Sequence, residues 1–169
     1  MKPLSEKISW KGSIIGVQPR IRLLRSFDQR NHNYMGYSLL VSGVADDQER
    51  EFLVGIGKAA QAKYMFKAGD VVKGDACPVA DNRTEVVEFY KTSKLEIIEK
   101  SNPAVSTPPS WVGIPPELEI YRQRGHRRLD ARTYAAHCRQ CIWGCFMPVE
   151  MIIDQWKPDK IQYQSLCFR

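Results

Sequence analysis

The sequence predicts a mostly β protein: a five-stranded domain with one internal helix, followed by a small α+β, cysteine-rich module. Three observations predict it. Residues 6–100 fall into β-type runs separated by turn residues. One stretch among them has helical composition. Four of the five cysteines lie after residue 137.

The elements follow in order. EKISWKGSIIGVQPRIRLL is a long β-type stretch in which Gly12 and Gly16 mark a strongly bent strand, because glycine inside a strand permits a bulge or tight bend. RSFDQRNHN reads as a polar loop, YMGYSLLVSGVA as a second strand, DDQER as a charged turn and EFLVGIG as a third strand. KAAQAKYMF contains good helix formers and no β-branched residue, which suits a short helix. After the Gly69-Asp70 turn, FKAGDVVKGDACPVA resumes strand character. PVADNRTE is a loop and VVEFYKTSKLEIIEK a fifth strand.

The order β-β-β-α-β-β, together with the KAGDVVKG entry to the fourth strand, resembles the OB-fold, a five-stranded Greek-key barrel. An SH3-like barrel or small sandwich is the alternative, although neither needs the internal helix. The resemblance covers residues 6–99 and sets the domain organisation: an OB-like barrel over 1–100, a linker or strap over 101–116 and a basic helix with a metal module over 117–169. The strap SNPAVSTPPSWVGIPP holds five of the ten prolines, which excludes a central strand or helix interior. Trp111 within it is an apolar anchor. Residues 117–137 predict helix, broken at Gly125, with Pro115 and Pro116 ahead of the acidic first turn. Arg122, Arg124, Arg127, Arg128 and Arg132 make this the most basic part of the chain.

Cys138, Cys141, Cys145 and Cys167 have the spacing of one metal-binding module. A C-x2-C pair lets two thiolates face one ion from a tight turn, and a third cysteine four residues on lies one helical turn away and can face the same point. A distant cysteine after a strand closes the shell. Four thiolates suit a closed tetrahedral Zn²⁺ that supplies folding energy. Three close cysteines and one remote one equally fit an iron–sulfur cluster, and buried thiols without metal are the third reading. His126 and His137 are reserve ligands. Cys77, alone in GDACPVA, reads as a small buried residue.

Length (169 residues), 43% hydrophobic and 26% charged residues all indicate a folded chain and exclude collagen-like or disordered classes. No apolar run is long enough to span a bilayer, so no membrane partner is expected. The N-terminus has no signal-peptide pattern, which together with the cysteine usage points to a reducing, cytoplasmic setting. A net charge of +6 favours an anionic partner.

The OB resemblance implies single-stranded DNA or RNA bound on strands two and three, between the first–second and fourth–fifth loops. Mapped by order, Arg25, Arg30 and Arg83, with Arg124, Arg127 and Arg128 from the basic helix, are the candidate phosphate contacts. Phe27, Tyr34, Tyr37 and Phe89 are the candidate stacking residues. No nucleophile–base pair, phosphate loop or paired-carboxylate motif is present, so a non-catalytic binder is expected. The alternatives are a protein-interaction or accessory subunit of a larger enzyme, and an iron–sulfur protein.

Overall fold

The computed structural model describes residues 6–25, 30–79, 85–101, 114–125, 127–139, 141–151 and 162–168. Five strands close a barrel: β1 (Ile8–Arg25), β2 (Arg30–Ala45), β3 (Gln48–Ile56), β4 (Val71–Pro78) and β5 (Phe89–Glu99). Antiparallel pairs join β1 to β2, β2 to β3, β5 to β4 and β4 back to β1, while β3 meets β5 in parallel at Val54 and Phe89. This closed circuit, with helix α1 (Lys58–Tyr64) between β3 and β4, is the OB-like arrangement expected.

Local chemistry explains the path. Gly12 and Gly43 are cross-strand partners, and a Cβ at either would strike the other strand's backbone, so β1 and β2 can cross this closely only with glycine. A bulge between Ile14 and Gly16 changes which residues of β1 face inward, from Trp10 and Ile14 to Val17 and Ile21. It supplies the bend that lets one strand serve two sides of the barrel. Asp46 and Asp47 both take positive φ (49° and 65°) in the two-residue turn joining β2 to β3, as such hairpins require. The sequence reading of a loop over 25–33 is too long: Arg30–Asn33 continue the β1–β2 ladder.

The interior follows strand alternation. Tyr37, Leu39 and Val41 of β2 and Phe52, Val54 and Ile56 of β3 point inward with Trp10, Val72 and Phe89. At one end, α1 is anchored by the buried Gln61, whose Nε2 donates to the Phe66 carbonyl (2.9 Å). The turn into β4 is held by Asp70, fully buried, whose carboxylate accepts from the Lys67 and Ser101 amides and pairs with Lys100 at 2.8 Å.

Beyond the barrel, the expected helix over 117–137 is replaced by three pieces. Helix α2 (Leu118–Arg124) stops at Gly125, whose φ of +70° reverses the chain while its N–H bonds to the Tyr121 carbonyl (3.1 Å). Strand β6 (Arg127–Leu129) follows, then the short turn α3 (Ala131–Thr133), which widens into a π-helical turn over Tyr134–Cys138. Strands β7 (Gly144–Met151) and β8 (Gln162–Cys167) follow. β7 pairs in parallel with β1 at Leu23–Arg25, and β8 lies between β7 and β6. The sheet therefore runs from the barrel directly into the C-terminal segment. Among the described residues no helix is long and apolar enough to cross a membrane.

Candidate binding groove and cysteine turn

The inward set of β1, β2 and β3 leaves Gly16, Gln18, Ser38, Leu40 and Leu53 on the outer face. The α3–π segment and β7 lie against part of that face. Between them is a groove of about 340 Å³, walled on its far side by Tyr134, Ala135, Arg139 and Phe146. Tyr134 and Phe146 stack at 5.6 Å and 24°. Arg139 Nη2 stands 3.2 Å from Glu51 Oε2 across the rim. Both side chains are half exposed, so this pair contributes at most about 1 kcal/mol. Arg139 can leave it for another anion at little cost.

Gln18 holds the wall in place. Its side chain is buried, yet each of its polar ends is used: Oε1 accepts from the Tyr134 hydroxyl (2.6 Å), and Nε2 donates to the carbonyls of Cys138 (2.7 Å) and Cys141 (3.0 Å). Burial raises the Tyr134 phenol above its ordinary range, so the hydroxyl remains a donor.

The sequence-derived residues are dispersed around this site. Tyr37 lies in the barrel core and donates to the Pro116 carbonyl (2.7 Å). Its ring therefore serves packing rather than an open stacking face. Tyr34 is half-buried beneath the Arg122 guanidinium, 4.3 Å from the ring centre. Arg124 lies over Trp143 (4.3 Å) and its Nε donates to the Phe168 carbonyl (2.7 Å), so it ties α2 to the end of β8. The backbones of Arg25 and Arg30 pair with each other at the end of the β1–β2 ladder. Those of Arg127 and Arg128 pair with β8. The side chains of these four, and all of Phe27 and Arg83, lie outside the described residues. The groove residues Ser38, Leu40, Leu53, Tyr134 and Arg139 carry no signal of a site in the sequence, and Phe146 reads there only as an apolar neighbour of the cysteines. Ser38 and Leu40 sit on the outward alternation of β2, which was readable. Nothing local in the sequence shows that a segment about 100 residues later covers them.

The cysteines separate into two environments. The Cys141 amide bonds to the Cys138 carbonyl (3.1 Å) and the Gly144 amide to the Cys141 carbonyl (3.1 Å), so the chain makes two successive turns and then enters β7. The helical spacing that would bring Cys145 beside Cys141 does not form. Cys145 is buried among core residues, with its Sγ donating to the Pro19 carbonyl at 3.4 Å. Burial pushes its thiol up to about 12. Cys138 is also raised, by burial and then by the charges of Cys141 and Cys167 nearby. Among the described residues, no three Cys, His, Asp or Glu side chains are gathered into a ligand set as they stand.

No family model matches this chain, and no curated protein or solved structure matches it.

Proposed function

We propose that this protein is a non-catalytic binding module for single-stranded DNA or RNA, with the strand crossing the outer face of β1–β3. One observation carries the reading: a groove walled by stacked aromatic rings and rimmed by an arginine lies on the face that OB-like barrels use for oligonucleotides. Bases are held by apolar and aromatic surface with little sequence preference, and phosphates by guanidinium groups. Leu40, Leu53 and Phe146 offer the first, and Arg139 at the rim offers the second. The net charge of +6 favours the encounter. The reading includes a metal that stabilises the cysteine-bearing segment, zinc by preference and an iron–sulfur cluster as the alternative.

The test is fluorescence anisotropy with labelled single-stranded oligonucleotides across a salt series. Binding should fall steeply with salt. Arg139→Glu should weaken it and reduce the salt slope by about one or more, as expected for a lost phosphate contact. Absence of salt-dependent binding to any oligonucleotide sinks the proposal. A protein-docking module is the second reading, favoured by the mainly apolar lining of the groove and by the exposed Glu49 and Glu51 on β3. Stable recovery of one protein partner, without oligonucleotide affinity, would select it.

A further inference from the structure

We propose that Cys138, Cys141 and Cys167 form a three-thiolate site for Zn²⁺, and that Cys145 is a core residue outside it. This revises the ligand set within the proposed metal-stabilised module and stands independently of oligonucleotide binding.

The backbone already brings three of the four cysteines to one place. Cys138 and Cys141 lie on the first of two consecutive turns, and both of their carbonyls are pinned by the Gln18 amide. Cys167 is the cross-strand partner of Gly144 on the β7–β8 ladder, and cross-strand partners project to the same face of a sheet. The Gly144 position points at Cys138: a Cβ there would lie 3.4 Å from the Cys138 Cβ and 2.7 Å from its carbonyl oxygen. Cys138 and Cys167 therefore share a face, and glycine at 144 lets the Cys138 turn approach β7 this closely. The Phe168 amide bonds to the Trp143 carbonyl (2.8 Å), which holds the end of β8 against this turn.

A further observation concerns the sulfur itself. The Trp143 amide donates to Cys141 Sγ at 3.4 Å. A backbone N–H directed at sulfur favours the thiolate, the form that ligates metal. Cys145 is the next residue along β7 after Gly144 and so projects to the opposite face, where its Sγ donates to the Pro19 carbonyl. Reaching an ion on the Cys138 face would require β7 to turn over and break its pairing with β8. The other three lie on the Cys138 turn and the paired end of β8, and their side chains gather only when metal binds. Three thiolates are a soft donor set suited to zinc, with water or another donor in the fourth tetrahedral position.

The test uses the full reduced chain with Co²⁺ as a spectroscopic substitute and Zn²⁺ as competitor. One equivalent of Co²⁺ should give tetrahedral d–d bands with a thiolate charge-transfer intensity appropriate to three sulfurs, all displaced by Zn²⁺. Cys138→Ala, Cys141→Ala and Cys167→Ala should each weaken binding by more than about tenfold, since loss of even an outer-shell partner costs that much. Cys145→Ala and Cys145→Val should leave affinity and spectrum unchanged. The wild-type intensity decides the number of sulfurs even if a Cys145 variant fails to fold. A four-sulfur spectrum, loss of metal in a folded Cys145 variant, or no stoichiometric metal uptake by the reduced chain overturns the proposal. Oligonucleotide binding without metal uptake would overturn it while leaving the binding-module reading intact.

Discussion

The barrel and the C-terminal attachment share a sheet and a continuous core, but different forces hold them. Inside the barrel, Phe52 meets Trp10 and Phe89 edge to face at 6.2 and 6.0 Å, and the inward residues of its strands fill the space around them. The attachment has a smaller apolar centre, in which Tyr121 packs edge to face on Trp143 and Phe168 at 5.6 and 5.1 Å. Its position depends heavily on long-range polar bonds: Tyr121 to Ile142, Arg124 to Phe168, Tyr37 to Pro116, and the three made by Gln18. Apolar burial is non-directional, whereas a hydrogen bond fixes orientation. The barrel can thus supply stability while the polar bonds set where the groove wall stands.

The largest test of this contrast is Phe52→Ala. Deleting a ring that is 1% exposed at the barrel centre should cost about 3–5 kcal/mol, measured by denaturant unfolding, with the loss felt throughout the chain. Gln18→Leu should have a smaller and more local effect. It removes the partner of the Tyr134 hydroxyl and of two carbonyls, and the penalty for buried unpaired groups predicts a loss of about 2–3 kcal/mol. Hydrogen exchange should quicken over 131–145 and stay slow in β2, β3 and β4. Equal acceleration in both regions would show that the two are not separately held.

The smallest effect concerns pH. Burial, and then the carboxylates of Glu117 and Glu119, push the Tyr37 phenol up from 10 to about 12. The folded state therefore keeps its proton where the unfolded state loses it. This contribution is full below pH 10 and is lost as pH rises through 10 toward 12. Ultraviolet titration should lose one of its late-ionising tyrosines, the one near pH 12, in Tyr37→Phe, and Glu119→Gln should bring that ionisation earlier.

Much of the barrel was legible because its signals are local. Gly12 and Gly16, the Asp46-Asp47 turn, the composition of KAAQAKY and the Gly69-Asp70 turn each act within a few residues, and the element order then matched a known barrel. The groove was less legible because it is made by distant partners. Leu40 and Leu53 read as ordinary apolar strand residues until a later segment covers them. Tyr37 illustrates the ambiguity of YSLL: with apolar residues at consecutive positions, alternation alone does not decide which phase faces inward. For Cys145 the two periodicities disagree. A helical turn would place it beside Cys141, but Gly144 starts a strand, and a period of two places it on the other side.

β1 also imposes an order of events. Its early residues complete the barrel with β4, yet its last residues, paired to β2 on one side, gain their second neighbour only from β7, with Leu23 pairing to Val149. During synthesis the barrel strands leave the ribosome well before Tyr134 and Arg139 exist. Contacts across so long a separation form late because the closure entropy is spent before they contribute. The nascent protein should pass through a stage in which the barrel is closed and its outer face is bare, until Tyr134, Arg139 and Phe146 convert that face into a groove.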